Sequence, residues 1–178
     1  MKIGIFGSSV ANDQRITKKA IAIGECLASK RYIVMTGGIT GYPHEVALAA
    51  IAAGGRAIAY GAGRVKADHH RYYHTDLSGY TNIIFQKNYI GRKLTAIDLY
   101  MRSLQMVKAL DKIIIIGGRV GTMFELTIAS GLGKDVFVLK NSGGITNNTI
   151  KSFIKEGHKQ KSKIVFFNTV GELAKLLK

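Results

Sequence analysis

The sequence predicts a Rossmann-like α/β fold: three layers, α/β/α, around a mostly parallel sheet of about seven strands. Three observations predict it. Short β-rich runs alternate with helical patterns along the whole chain. Several runs are apolar without interruption, as in Ile113-Ile114-Ile115-Ile116, so both faces of such a strand must be covered. Glycine-bearing segments follow the runs, where open parallel sheets bind their ligands.

The strands expected are Lys2–Phe6, Tyr32–Thr36, Arg56–Tyr60, Asn82–Gln86, Lys112–Ile116, Asp135–Leu139 and Lys163–Phe167. Asn12 or Asp13 can cap a first helix whose apolar stripe is Ile16, Ala20, Ile23 and Leu27. Pro43 suits the first turn of a second helix, which Gly54-Gly55 ends. The segment Gly61–Tyr80 is long, polar and glycine-containing, and reads as a loop over the sheet edge or the ligand site. A helix from Arg92 to Leu110 carries Leu94, Ile97, Met101 and Leu104 on one side. Further helices start near Val120 and stop around Gly131–Gly133, span Asn147–Lys155, and close the chain over Val170–Leu177. No internal repeat or composition break suggests a second domain, so residues 1–178 read as one nucleotide-binding domain.

With 47 % hydrophobic residues and one proline, the chain can build a sizeable core and shows no disordered composition. Cys26 is the only cysteine; it reads as a small buried hydrophobe, and its use fits a reducing cytoplasm. No apolar run approaches the roughly 20 residues of a membrane span, and the N-terminal run turns to glycine too early for a secretory signal. The net charge is +15, with 26 Lys plus Arg against 11 Asp plus Glu. Such a field attracts anions, but the basic residues are scattered rather than gathered into a nucleic-acid stripe.

Three loops carry the chemistry: Gly7-Ser8-Ser9, Thr36-Gly37-Gly38-Ile39-Thr40-Gly41, and Gly117-Gly118-Arg119-Val120-Gly121-Thr122. A phosphate needs several backbone N–H groups at close range, and glycine permits that approach. A helix starting just after the loop adds unpaired N–H groups and a partial positive charge. Thr122 offers a hydroxyl as well. The plain alternative is that the glycines only make tight strand-to-helix turns. Neither GxGxxG nor a P-loop sequence occurs, so no motif calls for a resident dinucleotide or nucleoside triphosphate. The histidines of Asp68-His69-His70-Arg71-Tyr72-Tyr73-His74 lack a clean metal-ligand spacing, and no metal is expected; the segment could instead form a lid.

The run Gly117-Gly118-Arg119-Val120-Gly121-Thr122-Met123-Phe124-Glu125 resembles the GGxGTxxE motif of the LOG-like superfamily. That superfamily holds cytokinin-activating phosphoribohydrolases, once labelled lysine decarboxylases, and molybdenum-cofactor carrier proteins. Gly37-Gly38-Ile39-Thr40-Gly41-Tyr42-Pro43-His44-Glu45 looks like its second glycine motif, and the resemblance runs from Lys2 to Leu139. It implies cleavage of the N-glycosidic bond of a nucleoside 5′-monophosphate to a free base and ribose 5-phosphate. It also implies catalytic roles for Glu125 and Arg102, with phosphate held by the glycine loops, and assembly into dimers or larger homo-oligomers. Breaking a ribosyl C–N bond builds oxocarbenium character, which a nearby carboxylate stabilises.

Each residue has a plainer reading. Glu125 lies in the first turn of a helix, where a carboxylate suits the dipole; Glu45 shares that ambiguity. Arg102 stands four residues after Asp98, a spacing for a surface ion pair. Ile116, Ser103 and Tyr42-Pro43-His44 depart from the hydrolase pattern, toward the carrier-like branch. Two other functions therefore stand beside the hydrolase: a non-catalytic carrier or sensor of a nucleotide or pterin cofactor, and a single-stranded nucleic-acid binder. If Arg102 and Glu125 face one pocket, the enzyme is favoured; if Arg102 pairs with Asp98 in solvent, the carrier is.

Overall fold

A computed structural model describes residues 1–86, 93–157 and 161–177. The strands are β1 (Lys2–Gly7), β2 (Ile33–Thr36), β3 (Arg56–Tyr60), β4 (Asn82–Ile84), β5 (Lys112–Ile116), β6 (Asp135–Leu139) and β7 (Ile164–Phe167). They form one sheet in the order β4-β3-β2-β1-β5-β6-β7, and every neighbouring pair is parallel. The helices are α1 (Gln14–Ser29), α2 (Tyr42–Ala52), α3 (Lys66–Tyr73), α4 (Ala96–Lys108), α5 (Val120–Gly131), α6 (Thr149–Glu156) and α7 (Val170–Leu176).

Alternation along β5 sorts the core into two layers. Ile114 and Ile116 join Ile16, Ile23, Leu27 and Val46 of α1 and α2 on one face. Ile113 and Ile115 join Met106, Val107, Leu126 and Ile150 of α4, α5 and α6 on the other. Both faces of the strand are thus covered, which explains its unbroken apolar sequence. Among the described residues, no helix is long and apolar enough to cross a membrane.

Local signals set the helix ends. Asp13 caps α1, its side chain accepting the Arg15 N–H at 2.9 Å. Pro43 occupies the first turn of α2. The expected helix from Arg92 begins instead at Ala96, and Arg92 itself lies outside the described residues. Thr95 and Asp98 close a reciprocal capping box there, so the apolar pattern extends past the true start. The expected helix Asn147–Lys155 is shifted to Thr149–Glu156, behind a short 3₁₀ turn over Gly144–Thr146.

One expectation needs correction. The segment Gly61–Tyr80 is no simple loop, for it contains α3. Its sequence, Lys-Ala-Asp-His-His-Arg-Tyr-Tyr, has no apolar stripe to announce a helix. The single buried residue of α3 is His69, and it is anchored by hydrogen bonds rather than by an apolar surface.

Candidate functional site

The strand order reverses at β1. From β1 the chain builds outward through β2, β3 and β4, then returns with β5 on the other side. The loops after β1 and β5 therefore diverge, opening a crevice at the carboxyl ends of the strands. Contiguous pockets share Gly7 in that crevice. One of about 230 Å³ lies between Gly7–Val10 and the Gly118–Thr122 segment. A small one of about 80 Å³ reaches down to Gly37, Pro43, Arg102 and Glu125. A third of about 270 Å³ runs between Ile39 and α4, past Leu99, Tyr100, Ser103 and Glu125.

The loop after β5 has the build of an anion cradle. α5 starts at Val120, and the Met123 N–H is the one that turns back to Arg119 O, at 2.9 Å. The N–H groups of Val120, Gly121 and Thr122 therefore belong to the first turn, which has no acceptor within the helix. Gly118 has φ +103°, and a side chain there would run into Thr122. The Thr122 hydroxyl leans toward Gly7 O at 3.4 Å. Gly117 has another duty: its N–H donates to Ser142 Oγ at 2.8 Å.

The other two loops are stitched together. Tyr42 N–H donates to Ser8 O, and Thr40 Oγ1 to Ser9 O, each at 3.1 Å. Gly41 packs so closely on Ser8 and Ser9 that a side chain would collide with their backbone. Ser8 Oγ closes its own turn on Val10. Gly37 and Gly38 turn to their neighbours: Gly38 N–H donates to Thr36 Oγ1, while Gly37 O and Gly38 O accept from Arg102 and His69. Glu45 stands in the first turn of α2 beside His44 and lines none of the three pockets.

Arg102 and Glu125 converge. Arg102 is 7 % exposed, so the solvent-facing alternative fails. Its Nη1 donates to Gly37 O at 3.4 Å, its guanidinium sits 6.0 Å from the Tyr73 ring centre, and its Nε–H is buried without a partner among the described residues. Asp98, the expected ion partner, turns its carboxylate to Thr95. Glu125 comes from α5 and accepts a 2.9 Å hydrogen bond from Ser103 Oγ, the residue after Arg102 on α4. Burial pushes the Glu125 carboxyl up to about 7, although the Ser103 hydrogen bond and the Arg102 charge pull it down.

Sequence reasoning noted Ser103 only as a departure and passed over Tyr100 and Ser142. Ser103 is detectable as a hydroxyl one turn after Leu99 and beside Arg102. Ser142 lies in Asn141-Ser142-Gly143-Gly144, a further glycine turn after a strand. A larger cavity, of about 430 Å³, is lined by Lys66, His70, Asp76 and Ser78, and no glycine loop reaches it.

Comparison with known proteins agrees with this architecture. The structural-genomics protein TM1055 superposes with a TM-score of 0.79 at 22 % identity, covering 99 % of this chain and 97 % of that one. The molybdenum cofactor binding protein from Rippkaea orientalis gives 0.73 at 18 %, covering 99 % and 94 %. DNA processing protein A from Helicobacter pylori, described by its single-stranded DNA binding mode, gives 0.71 at 15 %, covering 99 % and 80 %. At such identities the likeness is one of fold. None of the curated proteins compared with the chain matches it. A family model matching residues 1–174 makes the chain a member of the SLOG cluster4 family, consistent with the LOG-like Rossmann superfamily.

Proposed function

We propose that the protein is a nucleoside 5′-monophosphate phosphoribohydrolase. The observation that carries the reading is the convergence of Arg102 and Glu125 on one crevice beside the first turn of α5. In this reading the phosphate lies on the Val120, Gly121 and Thr122 N–H groups, in the pocket walled by Gly7, Ser8, Ser9, Gly118 and Arg119. The sugar then falls beside Glu125, and the base enters the largely apolar pocket of Ile39, Leu99 and Tyr100. In this reading Gly37, Gly38 and Gly41 shape the floor rather than meeting the phosphate: Gly37 O accepts from Arg102, Gly38 O from His69, and Gly41 packs on Ser8 and Ser9.

The chemistry follows. As the C1′–N bond lengthens, the base departs with the bonding pair and the sugar becomes cationic. Ionised Glu125 faces that charge and accepts the proton of the water that attacks C1′, yielding ribose 5-phosphate, while the departed base takes up a proton from solvent to leave as the free base. The Arg102 Nε–H, buried without an acceptor among the described residues, is a donor for a ligand oxygen in this reading. With a carboxyl that ionises near 7, activity rises with pH through that value.

The test is incubation with a panel of nucleoside 5′-monophosphates, with free base followed by chromatography. Release by the wild type that disappears in Glu125→Gln supports the reading. No release from any of them, with nucleotides or a pterin still raising the melting temperature, overturns it and favours a carrier. Salt-sensitive binding of single-stranded DNA alone would favour the nucleic-acid reading.

A further inference from the structure

The segment Asp68–His74 carries three histidines, and the fold treats one of them differently. His70 and His74 are exposed, whereas His69 is 0 % exposed. Both nitrogens of the His69 ring are engaged. The Ala62 N–H donates to Nδ1 at 3.0 Å, and Nε2 lies 2.8 Å from Gly38 O. A ring nitrogen that accepts a backbone N–H carries no proton, so the imidazole is neutral and Nε2–H donates to Gly38. Burial holds its pKa below the ordinary histidine value, as do the charges of Arg102 and His70, against the opposing pull of the Gly38 bond.

Two routes lead from this ring to Arg102. Through the backbone, His69 grips Gly38, and the adjacent Gly37 O accepts from Arg102 Nη1. Through side chains, the His69 ring leans on Tyr73 at 5.3 Å, and Tyr73 faces the guanidinium. Arg102 needs such a wall. Its bond to Gly37 O is long at 3.4 Å, and its Nε–H has no partner among the described residues, so direct bonds alone fix it weakly.

We propose that His69 is a positioning residue for Arg102, tying the glycine loop after β2 to the segment before α3 and so holding the carbonyl and the aromatic ring that flank the guanidinium. Its consequence for ligand binding rests on the reading of Arg102 given above; the positioning itself does not. Few side chains accept at one end and donate at the other across such a span, and glutamine is the nearest substitute.

Side-chain NMR tests it without any ligand. Arg102→Lys identifies the Arg102 Nε–H resonance by its loss. That resonance should persist in His69→Gln and shift or broaden away in a folded His69→Leu; an unchanged resonance in His69→Leu overturns the proposal. Should His69→Leu not fold, the wild-type ring nitrogens decide: His69 must stay neutral with the proton on Nε2 at pH 6.5, and protonation on Nδ1 overturns it. Calorimetry with adenosine 5′-monophosphate adds the functional arm. His69→Leu should weaken binding by about tenfold or more, with no further loss when it is combined with Arg102→Met. Additive losses would mean that the two residues act separately. A wild type that binds no mononucleotide would sink the nucleotide reading and leave the NMR result to decide the role of His69.

Discussion

Glu125→Gln should change how stability depends on pH, because it removes a carboxyl that the folded chain holds reluctantly in its charged form. Burial moves that carboxyl from 4.5 to about 7. Between those values the folded state binds the proton and the unfolded chain has lost it, so stability falls as pH rises. Below 4.5 both states are protonated and the residue costs nothing; above 7 the whole penalty is present. The span corresponds to at most about 3 kcal/mol, reduced by whatever water enters the open cleft. Glutamine keeps an acceptor for Ser103 and carries no charge at any pH. The difference in unfolding free energy between Glu125→Gln and the wild type should therefore grow in the variant's favour from pH 4.5 to pH 8. Urea denaturation of both proteins at half-unit steps measures it, and other titrating groups cancel in the difference. In melting temperature the gain is on the order of 5–10 °C at the alkaline end. Parallel profiles across the window would refute a raised carboxyl and, with it, the crevice as a dry, tightly walled site.

Ser103→Ala removes the O–H that stabilises the Glu125 carboxylate, so the carboxyl should rise by about one further pH unit, seen in a carboxyl-carbon NMR titration. Gly118→Ala forces a side chain onto φ +103° and against Thr122; it should cost about 1–3 kcal/mol in denaturant unfolding and weaken phosphate binding by calorimetry. Thr95→Ala opens the capping box and should cost about 1 kcal/mol, with faster amide exchange confined to the first turn of α4.

The sequence made the sheet legible because apolar runs must be buried. β3, β5 and β6 begin and end where composition puts them, and the other strands differ by a residue or two at their ends. The turn into α5 was legible because glycine, threonine and a following helix announce themselves together. α3 was hidden since its anchor is a histidine ring between two backbone groups, a relation between Ala62, His69 and Gly38 that no periodicity records. The role of Gly37-Gly38 was half-read for a similar reason. The glycines indicate close approach, but only the fold reveals that Arg102 and His69 are what approach their carbonyls. Likewise Glu125 read as either a catalytic or a helix-start carboxylate; it lies beyond the first turn of α5, where α4 brings Ser103 to it.

The hydrogen bond from Gly117 to Ser142 has a consequence for how quickly and how cleanly a ligand can be taken up. Ser142 Oγ accepts that N–H while donating to Leu139 O, and Ile145 N–H donates to Gly118 O at 3.0 Å. The two-glycine turn is thus braced by the segment after β6. A turn so braced is already preorganised. Under the function proposed above, little loop entropy remains to be lost on binding, so association should need no closing step and differences in affinity among ligands should appear in how slowly they leave.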